Sequence, residues 1–265
     1  MSDPKLGSAI RLSRSRQTWT GAGSAAGFVL RYVAPMRRLL IDMTGSEAAA
    51  DRALAILIQH LVKAGYGEHD RGRLRDFLIR GMRSAAKAQA VEQQEAEEQE
   101  AEQQEAEEQA ESVADLRLDF ATLESPTWIG YWREGMLQRA WRMLERHQHT
   151  HRFQLPRTAG NATGEESSES DESAKHDLVY DVLKTAMAHS GESAKVLSGR
   201  VAATVGRRVS ETELRRQLDE ARPLFAQFLA DEVACSLQEP DPHAIREEIK
   251  KLGLAKAFTG LKVRA

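Results

Sequence analysis

A tract of glutamate and glutamine in the middle of the chain limits what this protein can fold into. Residues 91–111 contain ten glutamates, no basic residue and the near-periodic run EAEEQEAEQQEAEEQ. The alanines recur every five residues, and five residues advance an α-helix by about 500°, so no apolar seam for a coiled coil forms. The tract therefore supplies no core to a domain, and we expect a solvated helix or a disordered spacer.

A second acidic tract, residues 161–173, adds four glutamates and one aspartate. The whole chain of 265 residues has a formal charge of −3, but without the fifteen acidic residues of the two tracts this charge would be +12. Most of the excess lies in the first 90 residues, where 15 Lys and Arg face 7 Asp and Glu. A basic folded portion suggests a partner that carries phosphates, an acidic membrane surface or an acidic protein.

Outside the acidic tracts, apolar residues recur at helical spacing, and no run alternates with the period of two that marks a β-strand. This pattern predicts an all-α protein, with two helical domains joined by acidic linkers. The expected segments are a disordered basic lead-in (1–23), a helical domain (24–89), an acidic linker (90–111), an amphipathic helical segment (112–157), a second acidic linker (158–174) and a helix-turn-helix domain with a C-terminal helix (175–265).

Capping residues outline the helix-turn-helix in the C-terminal segment. A predicted helix ends at Gly206, a short turn follows, and Ser210 with Glu213 forms a capping box that opens a longer helix. Asp241, directly before a proline, predicts the N-cap of a last helix. In the N-terminal segment, Thr44 with Glu47 predicts a further capping box.

Two prolines lie inside runs of helical periodicity. Pro35 predicts a kink or break at Ala34, and Pro223 predicts an interruption of the longer helix after Arg222. Both predictions rest on the same cause, because proline lacks a backbone N–H and its ring collides with the preceding helical turn.

The stretch HDRGRLRDFLIRGMRS, residues 69–84, interleaves five arginines with apolar residues. On a helix, an arc of about 80° would hold four cations and one carboxylate: Arg73, Asp76, Arg80, Arg83 and Lys87. Apolar residues fall on a separate arc, and Phe77 lies where that arc turns toward the cations. A solvated face is the simpler interpretation of a lone basic helix, but the charge of this domain favours phosphate binding.

Motifs for catalysis or metal binding are weak in this sequence. GAGSAAG, residues 21–27, has the wrong glycine spacing for a dinucleotide loop, and no predicted strand precedes it. His147, His149 and His151 stand at a predicted helix end, with no cysteine or carboxylate at a recognised ligand spacing. We therefore expect no enzymatic activity, no metal and no cofactor.

The expected compartment follows from the cysteine content and the apolar runs. A single cysteine, Cys235, excludes an internal disulfide and fits a reducing compartment. No signal-peptide pattern is present, and the longest strongly apolar run, residues 53–58, is far too short to cross a bilayer. We expect a cytoplasmic protein that has no membrane partner.

Three stretches of the N-terminal segment carry a family resemblance: FVLRYVAPMRRLLI, SEAAADRALAILIQHL and YGEHDRGRLRDFLIRGMRSAAK. They resemble region two of the extracytoplasmic-function sigma factors, the small bacterial transcription initiation factors. The string from Asp70 to Leu78 is similar to the family signature Asp-x-x-x-Gly-x-Phe-x-x-Trp-Leu, with Leu74 and Phe77 in its aromatic positions. The helix YWREGMLQRAWRMLE resembles the one before region four, and residues 197–237 resemble a region-four helix-turn-helix.

The resemblance implies a protein that binds core RNA polymerase and promoter DNA, both double-stranded and locally melted, with an anti-sigma or other regulatory protein as a further possible partner. In the N-terminal domain, the residues implied in DNA contact are Arg73, Phe77 as a stacking platform, Arg80, Arg83 and Lys87. In the C-terminal domain they are Arg207, Arg208, Thr212, Arg215 and Arg216, with Gln217 beside them. The residue implied in polymerase binding is Asp51.

The sequence departs from the family where polymerase contact is expected. Family members carry Gln-Glu three and four residues after the aspartate that matches Asp51, whereas this chain has Leu54 and Ala55. The change favours a second interpretation, in which a helical adaptor or regulator derived from a sigma factor binds an acidic protein, or its own acidic linker, through the basic face.

Overall fold

The protein is all-α in the computed structural model, which describes residues 10–12, 18–67, 72–103, 123–153, 177–261 and 263–264. The helices are α1 (Ala25–Val29), α2 (Val33–Thr44), α3 (Glu47–Ala64), α4 (Leu74–Gln103), α5 (Pro126–Phe153), α6 (Val179–Ala188), α7 (Ala194–Val205), α8 (Glu211–Cys235) and α9 (Pro242–Lys251). Short 3-10 turns cover Trp19–Gly21, Leu30–Tyr32 and Ala255–Phe258. Two strands of two residues, β1 (Ile10–Arg11) and β2 (Val263–Arg264), pair in parallel.

The chain divides into two compact units. The first, which we call the N-terminal unit, is formed by Leu12–Leu137 and Ala230–Lys256. The second, which we call the helix-turn-helix unit, is formed by Met1–Arg11, Gln138–Leu229 and Ala257–Arg264. The division therefore falls inside α5 and inside α8, and each unit combines residues from distant parts of the sequence.

The N-terminal unit is organised by α2, α3 and α4, which pack on one another. The apolar residues at helical spacing are the ones that the packing buries: Met36, Leu39, Leu40, Met43, Ala50, Ala53, Leu57, Leu61, Leu74, Leu78, Ile79, Met82 and Ala86. The two helices α3 and α4 lie close together at Gly81, where an added Cβ would lie 2.8 Å from Leu57 Cδ1. Periodicity thus determines which helix faces meet, as expected for amphipathic helices.

An aromatic cluster closes one side of the N-terminal unit. Trp19, in the segment expected to be a disordered lead-in, is fully buried and donates from Nε1 to the carbonyl of Gly72 at 3.4 Å. Its ring lies 4.8 Å from the ring of Tyr66 and 5.3 Å from that of Phe77. At least this tryptophan of the basic lead-in is therefore part of the folded core.

Both proline predictions need correction. Pro35 lies in the first turn of α2, where a missing N–H costs little, and the helix break comes earlier, at the 3-10 turn that ends at Tyr32. Pro223 lies inside α8, which continues without interruption to Cys235. The predicted interruption after Arg222 is therefore wrong. The second half of α8 is held by buried apolar side chains, among them Leu229 and Val233.

The caps predicted at Ser210 and Asp241 are present, whereas the one predicted at Thr44 is wrong, because Thr44 ends α2 and Ser46 caps α3. Ser210 Oγ accepts a hydrogen bond from the backbone N–H of Glu213 at 3.1 Å, at the start of α8. Asp241 Oδ1 accepts from the N–H groups of His243 and Ala244 at 2.7 Å and 3.0 Å, at the start of α9. Such caps depend on neighbouring residues only, which is why the sequence predicts them.

The first acidic tract begins as a continuation of α4. This helix runs to Gln103, so residues 91–103 of the tract are helical, and the side chains of residues 91–95 are exposed. Of the two expectations for the tract, a solvated helix agrees with these residues. Residues 104–111 and the second tract, 161–173, lie outside the described residues.

In the parts of the chain that the structure describes, no helix is both long enough and apolar enough to span a membrane.

Candidate nucleic-acid interface

The helix-turn-helix unit packs α6, α7 and the start of α8 around a small apolar core: Leu178, Val182, Leu197, Val201, Val209 and Leu214. Between α7 and α8, Gly206 adopts the left-handed conformation with φ of 73° and donates its N–H to the carbonyl of Ala202 at 3.0 Å. Val209 buries its side chain in the core, and Ser210 then caps α8. The turn is thus fixed at both ends, and the direction of α8 relative to α7 is fixed with it.

The first half of α8 has a buried side and an exposed side. Leu214 and Gln217 are buried, and Gln217 Oε1 accepts the backbone N–H of Leu178 at 3.1 Å. Gln217, which the sequence places beside the DNA contacts, therefore faces the core instead. The exposed side carries Arg215 and Arg216, with Thr212 one turn earlier.

Arg215 and Arg216, near the start of α8, form surface ion pairs along their own helix. Arg215 pairs with Glu211 at 3.5 Å, and Arg216 pairs with Glu220 at 3.2 Å. Because exposed pairs of this kind contribute less than about 1 kcal/mol, both guanidinium groups can exchange a carboxylate for a phosphate at low cost.

The turn before α8 supplies one exposed arginine and one that is used internally. Arg208 is exposed. Arg207 forms two hydrogen bonds with the Glu213 carboxylate, at 2.6 Å and 3.2 Å, and donates to the carbonyl of Arg208 at 3.0 Å. Such a bidentate pair is among the stronger polar contacts in proteins. Arg207 therefore ties the turn to the first turn of α8, although the sequence places it at a phosphate.

The predicted cationic stripe on α4 is shorter than expected, because its first member is neutralised. Arg73 stands just before α4 and lies 2.6 Å from Asp76, 3.3 Å from Glu124 and 3.5 Å from Glu248. Burial alone would lower the pKa of Arg73, but the hydrogen bond to Asp76 and the nearby carboxylates outweigh it and raise the pKa. Its positive charge is thus compensated within the protein.

Three members of the stripe stay available. Arg80 and Lys87 are exposed and Arg83 is half-buried on α4. Within the described residues, none of the three lies in an ion pair with a carboxylate. The stripe therefore consists of two turns of helix with three uncompensated cations, which is a smaller surface than the sequence predicts.

Phe77, predicted to stack on an exposed base, is engaged inside the protein. Its ring is half-buried, at 5.3 Å from the ring of Trp19 and 5.6 Å from the ring of Tyr66, with edge-to-face geometry toward the tyrosine. Aromatic rings in such a cluster stabilise one another, so moving Phe77 toward a base would disrupt the cluster.

Sequence reasoning missed a buried arginine next to the stripe. Arg75 is 1% exposed, and its Nε donates to Glu248 on α9 at 2.7 Å, while Nη1 donates to the carbonyl of Leu123 at 2.9 Å. A signal was present, because Arg75 precedes the buried Met82 by seven residues and so lies on the apolar side of α4. An arginine on such a side needs a buried carboxylate, which here comes from a helix 173 residues away.

Asp51, the residue implied in polymerase binding, is exposed on α3 but paired. Arg37 donates to both of its carboxylate oxygens, at 2.6 Å and 3.0 Å, and to Glu47 at 2.9 Å. The hydrogen bond from Arg37 lowers the pKa of Asp51. Farther along α3, Ala55 is exposed and Val62 is 70% exposed.

His147, near the end of α5, has one carboxylate beside it. His147 lies 3.7 Å from Asp177 and packs edge-on against Phe228. Among the residues whose positions are described, no three of His, Cys, Asp and Glu come together as metal ligands would.

Comparisons of this chain with protein-family models, with curated proteins and with solved structures found no match. Function has to be inferred from the polar groups that the fold leaves exposed. Among them are Arg208, Thr212, Arg215 and Arg216 in one unit, and Arg80 and Lys87, beside the half-buried Arg83, in the other.

Proposed function

We propose that this protein is a non-enzymatic, cytoplasmic DNA-binding protein that acts as a sigma-factor-like transcription initiation factor. The proposal rests on the first half of α8, which follows a turn fixed at both ends. One side of this helix buries Leu214 and Gln217, and the other side exposes Thr212, Arg215 and Arg216. A helix held this way enters the major groove of B-DNA in helix-turn-helix proteins, with residues of its first turns at the base edges.

The chemistry of the exposed residues suits this role. Arg215 and Arg216 have the planar donor pattern that matches guanine edges or phosphates, and Thr212 has a hydroxyl that can donate or accept. Arg208, in the turn, is in the position from which helix-turn-helix proteins contact the DNA backbone. The proposal leaves Arg207 out of the interface, because its guanidinium already binds Glu213.

The basic face of α4 extends the proposal to promoter DNA. Arg80, Arg83 and Lys87 would bind phosphates without reading the sequence. The proposal gives no phosphate contact to Arg73 and no base contact to Phe77, because both side chains have partners inside the N-terminal unit. The resemblance to sigma factors then suggests core RNA polymerase as the protein partner, with Asp51 and its ion pair on α3 at the contact.

DNA binding is tested by the salt dependence of affinity for a labelled duplex, measured by fluorescence anisotropy between about 50 and about 200 mM salt. The double variant R215A/R216A should bind more weakly. Its plot of log affinity against log salt concentration should be less steep, by about the amount that two phosphate contacts contribute. The matched control is R200A, which removes an exposed arginine on α7 that pairs with Glu192. An unchanged slope for R215A/R216A would refute DNA contact by α8.

Polymerase binding is tested separately, by pull-down of the full chain from a bacterial lysate. Core polymerase subunits should be captured, and the variant D51A should capture less of them. Loss of capture in D51A together with intact DNA binding would separate the two activities. Consistent absence of the polymerase subunits from the captured proteins would refute the sigma-like role.

The second candidate is the adaptor function, and α3 favours it. The polar pair of the family is replaced by Leu54, which is half-buried, and by the exposed Ala55, and Val62 two turns later is 70% exposed. An adaptor would bind an acidic protein through Arg80, Arg83 and Lys87. Retention of another acidic protein in the same pull-down, without polymerase and without DNA binding by α8, is the outcome that this candidate predicts.

A further inference from the structure

The exposed side of α8 carries four side chains at one regular spacing, with members three, four and seven residues after the first: Thr212, Arg215, Arg216 and Asp219. All four are exposed. At 100° per residue they span an arc of about 100°, opposite the buried Leu214 and Gln217. Homeodomain recognition helices place their base contacts at the same intervals. We call these four residues the reading face of α8.

Asp219 is the one acidic residue of the reading face. Arg215 stands four residues before it and Arg216 three residues before it, so both arginines are within reach along the helix. Arg215 pairs instead with Glu211, and Arg216 pairs with Glu220. Within the part of the chain that the structure describes, Asp219 takes part in no ion pair. Its carboxylate is therefore available to accept a hydrogen bond from outside the protein.

A carboxylate on a DNA-binding face lowers affinity for every duplex that offers it no hydrogen-bond donor, because the phosphates repel it. The exposed Arg222, three residues after Asp219, adds a third cation to Arg215 and Arg216 around this carboxylate. These cations reduce the repulsion, so contact with DNA stays favourable. Asp219 then contributes to discrimination more than to affinity, since specificity also arises from penalties on wrong partners.

The base edges of the major groove differ in what they offer to a carboxylate, which accepts hydrogen bonds and donates none. Guanine presents two acceptors, and thymine presents one acceptor and a methyl group. Adenine presents an amino donor beside the N7 acceptor, whereas cytosine presents its N4 amino donor alone. Cytosine is therefore the base whose edge best complements an aspartate.

We propose that Asp219 determines sequence specificity by accepting a hydrogen bond from the N4 amino group of a cytosine in the major groove. The inference rests on the proposed DNA binding by α8 and deepens it by naming a base. Asp219 follows Thr212 by seven residues, about 10 Å along the helix axis, which corresponds to about three base-pair steps. The cytosine therefore lies within about three base pairs of the pair that Thr212 meets.

The test is selection of bound duplexes from a random-sequence pool by the full chain, followed by sequencing of the bound fraction. The wild type should prefer cytosine at one position by about fivefold or more over the other bases, as expected for a single base contact. D219A should lose the preference at that position and keep the preferences at the others.

The variant D219N gives the sharper result, because asparagine both donates and accepts and so matches N6 and N7 of adenine. The base selected at that position should change from cytosine to adenine. The matched control is E192Q, which removes one negative charge from the same unit at a side chain outside α8 that pairs with Arg200. This control should leave every base preference unchanged.

Affinity for an unrelated duplex separates a specificity role from a structural one. D219A and D219N should bind such a duplex at least as tightly as the wild type, because a repelled carboxylate is gone, whereas a misfolded variant would lose affinity for every duplex.

A wild type without the cytosine preference, an unchanged preference in D219N, or the same change in E192Q would each overturn the inference. If R215A/R216A still showed the reduced salt dependence in these cases, DNA binding by α8 would stand without the role of Asp219. A wild type that binds no duplex would overturn both.

Discussion

The buried ion pair between Arg75 and Glu248 gives the sharpest prediction for stability. Both side chains are nearly inaccessible, at 1% and 4% exposure, and Nε of Arg75 lies 2.7 Å from Oε1 of Glu248. The variant E248A leaves the guanidinium buried without its main counter-charge, and removing one partner of a buried pair costs about 3–5 kcal/mol. Arg75 keeps the carbonyl of Leu123 at 2.9 Å and the Asp76 carboxylate at 3.2 Å. We therefore expect the lower end, about 3 kcal/mol.

Replacing both partners should have a much smaller effect. In R75M/E248L the buried charges are gone and apolar side chains of similar size fill the space, so the free energy of unfolding should lie within about 1 kcal/mol of the wild type. Asp76 keeps its pairing with Arg73 at 2.6 Å in this variant. The control for a lost carboxylate is E124A, whose side chain is 52% exposed and should cost less than about 1 kcal/mol.

The assay is urea unfolding followed by tryptophan fluorescence. Trp128 reports on the site directly, because its Nε1 donates to the backbone carbonyl of Arg75 at 3.2 Å. The midpoint should fall in E248A at an unchanged slope, and should recover in the double variant. A loss below about 1 kcal/mol in E248A, or a double variant less stable than E248A, would refute the view that desolvated charge dominates this site.

Three further predictions concern local contacts. Q217L should lower the free energy of unfolding of the protein by about 1–3 kcal/mol in urea titrations, because the buried N–H of Leu178 loses its acceptor, whereas a variant of a solvent-exposed glutamine would not. G206A should destabilise by about 1 kcal/mol, because φ of 73° is left-handed, and an equal or higher unfolding midpoint would contradict this. The hydrogen bonds from the N–H groups of Ala244 and His243 lower the pKa of Asp241, so its contribution to stability should be complete above the unfolded value of about 4 and should be lost as the pH falls through the lower folded pKa. The acid-unfolding curve of D241N should lack this contribution, and identical curves would contradict it.

Features that depend on neighbouring residues were predictable from the sequence. The caps at Ser210 and Asp241 and the turn at Gly206 each need only residues within a few positions, and the structure has all three. The all-α class was predictable as well, because apolar residues recur at helical spacing throughout the chain outside the acidic tracts. Local chemistry also placed Arg80 and Lys87 correctly on the exposed side of α4.

Features that depend on distant partners were not predictable. The main counter-charge of the buried Arg75 is Glu248, 173 residues away, and the same carboxylate lies 3.5 Å from Arg73, whose nearest partner is the local Asp76. Glu213 is placed by the sequence in a capping box, but its carboxylate binds Arg207, because the sequence shows spacing and no side-chain direction. At Pro223 the sequence predicts a helix end that the structure does not have. Packing of the later turns of α8 outweighs the local tendency of proline to end a helix.

The N-terminal unit takes its last helices from the far end of the sequence, which determines when it can fold during synthesis. Leu74 donates its backbone N–H to the carbonyl of Ser236 at 2.8 Å, and Glu248 arrives later still. The start of α4 lacks its backbone partner until Ser236 has been made, and the Arg75 guanidinium lacks the Glu248 carboxylate until α9 has been made. The nascent N-terminal unit must therefore wait in an incomplete state while residues 138–229 of the helix-turn-helix unit are made, and a chain that stops before Ile245 should be degraded or captured by chaperones rather than accumulate.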